Sequence, residues 1–252
     1  MNQPLEPRRY TGEFVYKYRT LEHLNWLEQI VLQNLLYFPT ARDLNDPEEA
    51  RPPLTSSSID SLIEMLIDNA VEARPHLTNN GLAYHARVID YNVRQFGTEA
   101  ILGQLRHSLE PLLTRFRIYS LSKRPDNLHL WAAYAAQHTG YCLEFRNAGF
   151  GPIYEVRYED IAVDITNNAQ LQPYFLFYKT KKWQREEEVR MMKQQVSDAY
   201  STFDPAVLTR VIIGRNIAPS DEAAIRAITT RRNPCLPVVP EPAIIRNGKR
   251  RC

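Results

Sequence analysis

The densest concentration of reactive side chains is the run Lys181-Lys182-Trp183-Gln184-Arg185-Glu186-Glu187-Glu188-Val189-Arg190. Charges alternating with Val189 and Met191 predict a strand over 186–192, and on a strand Glu186, Glu188 and Arg190 share one face. Two carboxylates one pleat apart repel, so one of them holds its proton longer. Such a pair can serve as acid and base, or present negative charge to a cation that develops during reaction. The competing reading is a solvated charge run, which is the commoner fate of this composition.

Three further groupings could do chemistry. Trp131, Tyr134 and His138, ahead of Gly140, are spaced to share one helix face. That aromatic wall could stack a flat ring or simply pack in a core. Tyr16-Lys17-Tyr18-Arg19 ends with a guanidinium able to fork onto a phosphate, against a surface salt bridge as the default. Ser120 and Ser122 put two hydroxyls on one strand face. No metal site is expected: His138 and Cys142 are separated by Gly140, and there is neither an HExxH nor a GxSxG pattern. No glycine-rich loop follows a strand, so a bound phosphate must be held by side chains.

The elements that must position these residues are readable from periodicity. Phe14–Tyr18 is aromatic and β-branched and predicts a strand. Leu21, Leu24, Leu27, Ile30 and Val31 predict a helix, and Leu35–Phe38 a short strand. Asn45-Asp46-Pro47 is turn chemistry. Ser57 with Asp60 reads as a capping box for a helix with Ile59, Leu62, Ile63, Leu66 and Ile67 on one face. Leu82–Phe96 and Thr98–Leu113 are helical too, so 51–114 is expected to form a helical insertion. Strands are expected at Phe116–Ser122, Tyr141–Phe145, Ile153–Tyr158 and Val211–Gly214, with helices over Leu128–His138 and Asp221–Thr229. Val238 and Val239, hemmed by prolines, can supply only an edge strand. The basic tail 246–252 is expected to be disordered. Strands and helices at irregular intervals predict an α+β fold in one domain, with a mixed core from 10–50 and 115–245.

Composition narrows the class. The chain has 252 residues, 44 % of them apolar, which is ample for a core. A net charge of +2 does not favour a nucleic-acid surface. Three cysteines without a CxxC pair read as thiols in a reducing compartment. Residues 1–9 lack the apolar core of a signal peptide, and no stretch approaches the roughly 18 apolar residues of a membrane helix. A cytoplasmic protein with no membrane partner is expected.

In order, these segments resemble a widespread bacterial family of unknown function. Its pattern is a Tyr-Lys-Tyr-Arg strand, an Asn-Asp-Pro turn, a Ser-x-Ser strand, Trp-x-x-Tyr-x-x-x-His-x-Gly and Trp-x-x-Glu-x-Glu-x-Arg. Here these are Tyr16–Arg19, Asn45–Pro47, Ser120 with Ser122, Trp131–Gly140 and Trp183–Arg190. Val211–Gly214 is similar to its late strand. Glu48 departs from the pattern, which has an aromatic after the turn. The succession of arginine, serine strand and Glu-x-Glu strand is also similar to ADP-ribosyltransferases of the arginine–serine–glutamate type.

That second resemblance implies a split β-sheet core and NAD as substrate. It would make Arg19, with Lys17, the holder of the phosphate or ribose end, and Ser120 or Ser122 the contact to the nicotinamide ribose. Glu188 would engage the ribose hydroxyl and stabilise the oxocarbenium ion, and Glu186 would orient the acceptor. Tyr134 or Trp131 would stack on nicotinamide. The acceptor, protein or nucleic acid, stays open, as does simple NAD hydrolysis. Two rivals stand beside this: a non-enzymatic nucleotide or protein sensor in a bacterial conflict system, and a metal-dependent nuclease using Asp46, Glu186 and Glu188.

Overall fold

The computed structural model describes residues 6–44, 51–167, 173–194 and 198–242. The elements run β1 (Phe14–Arg19), α1 (Leu24–Gln33), β2 (Leu35–Tyr37), β3 (Leu54–Thr55), α2 (Ile59–Glu72), α3 (Asn79–Phe96) and α4 (Thr98–Leu113). Then come β4 (Phe116–Ser122), α5 (Leu128–Ala133), β5 (Tyr141–Arg146), β6 (Tyr154–Glu155), β7 (Arg157–Tyr158), β8 (Val163–Asp164) and β9 (Tyr178–Lys179). The chain closes with β10 (Glu188–Gln194), β11 (Tyr200–Thr202), β12 (Leu208–Ile213), α6 (Pro219–Thr230) and β13 (Val238–Pro240). The fold is mixed α+β. Its main sheet has the order β13-β12-β5-β1-β4-β10-β6, antiparallel except for the β12–β13 edge pair.

The central strands form because β-branched and aromatic residues alternate, and both faces of the sheet are covered. One face carries Val15, Leu121, Leu143, Val189 and Val211 under Leu27, Ile30 and Val31 of α1 and Ile225 and Ile228 of α6. The other carries Tyr16, Tyr18, Cys142 and Ile212 under Leu130 and Trp131 of α5. The helices of 59–113 bury a separate small core of Leu62, Ile63, Val93 and Leu102 with Ile165.

One seam in the sheet is nearly open. β1 pairs with β5 from Phe14–Arg146 to Arg19–Tyr141, and β4 pairs with β10 from Ser122–Glu188 to Phe116–Gln194. Between β1 and β4, however, Tyr16–Ser122 is the only paired position. Two well-laddered half-sheets therefore meet at one rung. Beyond it the Lys17 ammonium reaches across to the Ser120 carbonyl (2.6 Å), standing in for backbone bonds that are not made.

Several expectations need correction. The cap of α2 is Ser58, whose side chain accepts from the Ser61 amide, because the helix starts at Ile59; Ser57 instead bonds Thr166. The helix predicted over 128–138 stops at Ala133, and Ala136, Gln137 and His138 take positive φ. The cause is a close approach further on: a Cβ at Gly140 would stand 2.2 Å from the Arg19 carbonyl, and one at Gly214 would stand 2.1 Å from that of His138. The strand expected over 153–158 divides at buried Val156, with β6 joining the main sheet and β7 pairing with β9. The strand expected over 186–192 begins only at Glu188; Glu186 ends a 3₁₀ turn, and Glu187 is left-handed at φ 47°. The edge strand at Val238 forms as expected, parallel to β12. Asn45–Pro47, Glu48 and the tail 246–252 lie outside the described residues.

Candidate functional site

A cavity of about 560 Å³ lies at the open seam. Lys17 and Arg19 of β1, Ser120 and Ser122 of β4, and Tyr134 line it, as do Glu186 and Glu188. Strand parity gives these groups two origins. Glu188 and Ser122 are cross-strand neighbours and share a face with Tyr16, whereas Lys17 and Arg19 project from the opposite face. The cavity reaches both sets because the sheet is open between them.

At one end the two glutamates are held tightly. The Lys179 ammonium donates to Glu186 Oε2 (2.7 Å) and to Glu188 Oε2 (2.9 Å). Arg190 donates through Nε to Glu188 Oε1 (2.7 Å) and through a terminal nitrogen to Glu188 Oε2 (3.1 Å). The Tyr134 hydroxyl donates to Glu186 Oε1 (2.7 Å). The Glu188 backbone amide donates to the Tyr158 hydroxyl (2.6 Å). Glu186 and Glu188 are each only 4 % exposed. Burial pushes Lys179 down, but attraction to Glu188 and Glu186 and the hydrogen bonds to both outweigh it, so its pKa lies above the usual lysine range. The carboxylate repulsion expected from a bare Glu-x-Glu pair is thus replaced by two carboxylates sharing an ammonium. They face a common partner because the left-handed Glu187 swings Glu186 round, not because they sit one pleat apart.

The other end is cationic. Arg19 stacks its guanidinium 5.2 Å from the Trp26 ring, and Lys17 lies 4.9 Å from that of Tyr119. Burial pushes the Lys17 amine down to about 7; Arg19 and Lys179 lower it further, while Glu188 and Glu186 pull it up. Between about 7 and the ordinary 10.5, the unfolded chain carries a proton at Lys17 that the folded chain lacks. Stability should therefore rise with pH across that window. Lys17→Met is expected to flatten the rise, read as the urea midpoint across the window. Parallel curves for the two proteins would mean that the folded amine stays charged.

No protein-family model, curated protein or solved structure matches this chain.

Two of the residues expected at the site have other engagements. Trp131 does not line the cavity: it is fully buried, donates its indole N–H to the Pro125 carbonyl (2.8 Å) and packs edge-on against Tyr18. Aromatic residues at helical spacing serve a core as readily as a site, and Trp131 is core. Ser122 lines the cavity, but its hydroxyl donates to the Glu186 carbonyl (3.2 Å), which fixes the 3₁₀ turn. Ser120 is therefore the serine better placed to meet a ligand. Sequence reasoning missed Lys179, whose signal was weak: a lone lysine closing the aromatic stretch Tyr174–Tyr178 just before the charged run. It also missed Tyr119, which reads as one more apolar position of β4.

Among the described residues, no group of three or more His, Cys, Asp or Glu side chains is placed to hold a metal ion. Asp46, the third acid of the nuclease reading, lies outside them. No described helix is long and apolar enough to cross a membrane.

Proposed function

We propose that this cavity binds NAD and that the protein acts as an ADP-ribosyltransferase-like enzyme, with NAD hydrolysis as a variant. The observation that carries the reading is the opening of the sheet between β1 and β4, which brings Arg19, Ser120 and Glu188 to one cavity from three separate strands. An opened sheet with an arginine on one lip and a glutamate on the other supports the split-sheet site that the resemblance to ADP-ribosyltransferases implies. The volume is of the size that small-molecule sites use, about 300–1,000 Å³.

The chemistry asks little of the protein. When the ribose–nicotinamide C–N bond breaks, its electron pair leaves with nicotinamide, which departs neutral and needs no acid. Positive charge develops on the ribose, and a fixed carboxylate beside it lowers the barrier. Glu188 is fixed in advance by Lys179 and Arg190, so no reorganisation is needed at the moment of reaction. Glu186, steered by Tyr134, is left to orient the incoming acceptor or water.

One observation favours a second reading, a non-enzymatic nucleotide sensor in a conflict system. Both carboxylates already have cationic partners, which reduces the field they can offer a developing cation. Incubation with NAD decides between the two. Nicotinamide release that needs cell lysate indicates transfer, and release without lysate indicates hydrolysis. Saturable binding without release is the sensor's signature.

Arg19→Lys tests the clamp. It keeps the charge and loses the planar fork, so NAD affinity is expected to fall roughly tenfold, about 1.4 kcal/mol. Calorimetry showing unchanged affinity would remove Arg19 from the site. A collapsed melting temperature would make it structural.

A further inference from the structure

Three buried polar atoms near the Arg19 end of the cavity make no hydrogen bond among the described residues: Arg19 Nε and the Tyr119 hydroxyl, on residues that line it, and the Tyr141 hydroxyl, on a residue that does not. They are neighbours. Arg19 and Tyr141 are directly paired across β1 and β5, and Tyr119 projects from the same face on the far side of the seam. Tyr119 and Tyr141 are almost wholly buried, at 1 % and 0 % exposure. A buried polar atom left unbonded is costly, and native structures seldom keep one without a use. The two on lining residues suggest that something else satisfies them.

Their chemistry defines that partner. The guanidinium N–H can only donate. The phenols are also donors here, because burial raises both pKa values above the ordinary tyrosine value, Tyr119 to about 12, with only partial relief from Arg19. Donors from Arg19 and Tyr119 beside a lysine call for a group that only accepts. Asp43, in the same wall, takes the Thr40 hydroxyl instead (2.6 Å).

We propose that this end of the cavity is an oxyanion subsite in which the Tyr119 hydroxyl donates, together with Arg19, to a phosphoryl group of the bound ligand. The proposal deepens the nucleotide reading, since it assigns the end of the cavity opposite the carboxylates. Lys17 makes binding proton-coupled. Its amine faces Arg19, Tyr119, Lys179, Glu186 and Glu188, and an anion arriving beside Arg19 tips that balance toward the charged form. Below about pH 7 the amine already carries its proton, so uptake belongs to the alkaline side.

The probe is inorganic pyrophosphate, titrated calorimetrically at pH 8 in two buffers of different ionisation enthalpy. Saturable binding with uptake approaching one proton per site is expected, vanishing in Lys17→Met. Tyr119→Phe should weaken binding about tenfold, the usual scale for a hydrogen bond to a charged group, and Tyr141→Phe, outside the lining, should leave it near wild type. Neither should lower the melting temperature much, because neither hydroxyl makes a hydrogen bond of normal geometry, that of Tyr119 having only the nearby Arg19 beside it. Wild-type affinity in Tyr119→Phe, or no saturable binding at all, overturns the proposal. A strongly lowered melting temperature in Tyr119→Phe would do the same, since its hydroxyl would then have a protein partner. Pyrophosphate binding that depends on Tyr119, without nicotinamide release, would leave the subsite standing while the transferase reading falls.

Discussion

Glu188→Gln is expected to reduce nicotinamide release by about 10²–10³, the scale for removing one preorganised electrostatic contact. NAD affinity should change little, because the lost charge acts chiefly on the transition state. The structure adds a second effect. Glutamine keeps the shape but leaves Arg190 and Lys179 short of a counter-charge in a site almost closed to water. Breaking one side of such a buried pair costs about 3–5 kcal/mol, so rates must be compared at a temperature where the variant is folded. Glu187→Gln is the control. Its side chain is 40 % exposed and its contact with Arg124 is long, at 3.7 Å, so activity and melting temperature should stay near wild type. Equal damage from the two substitutions would undo the distinction between a positioned carboxylate and its solvated neighbour.

Lys179→Met should have the largest effect on stability. With the ammonium gone, Glu186 and Glu188 confront each other with Arg190 engaging Glu188 from one side. The loss at neutral pH is expected to be about 3–5 kcal/mol, as for other broken buried ion pairs. It should also be pH-dependent. One carboxylate of the pair will bind a proton more tightly folded than unfolded, so the variant loses stability as pH rises from the ordinary carboxylate range toward neutrality. Urea unfolding at pH 5 and pH 8 gives the comparison, and adding Glu186→Gln should recover part of the deficit at pH 8. A single variant as stable as wild type at pH 8 would show that the four charged groups are not an interdependent network.

What was legible in the sequence follows from which constraints are local. Phe14–Tyr18 and Phe116–Ser122 read as strands because alternation on a covered sheet is a property of the segment itself. The helices of 59–113 were equally visible, since their apolar faces repeat at helical spacing. Tertiary constraints were not visible. The early end of α5 is forced by Gly140 meeting the Arg19 carbonyl, a contact between segments far apart in sequence. The left-handed Glu187 is similarly hidden, because nothing in Glu-Glu-Glu marks the middle residue as a turn. Without that turn, the strand argument brought Glu186 to the correct neighbour by the wrong geometry. Trp131 shows the ambiguity of aromatic spacing, and Tyr119 the reverse: a position that counts as core by burial, yet lines the cavity beside Arg19.

The single rung at Tyr16–Ser122 has a mechanical consequence. A sheet resists being pulled apart sideways through the number of backbone bonds loaded in parallel, and here that number is at its minimum, shared with one lysine contact. The gap between β1 and β4 is therefore the most compliant dimension of the sheet. A ligand somewhat thicker than the gap strains that rung and little else, while the ladders on either side keep Arg19 and Glu188 each fixed within its own half. Cavity width can adjust without blurring either wall.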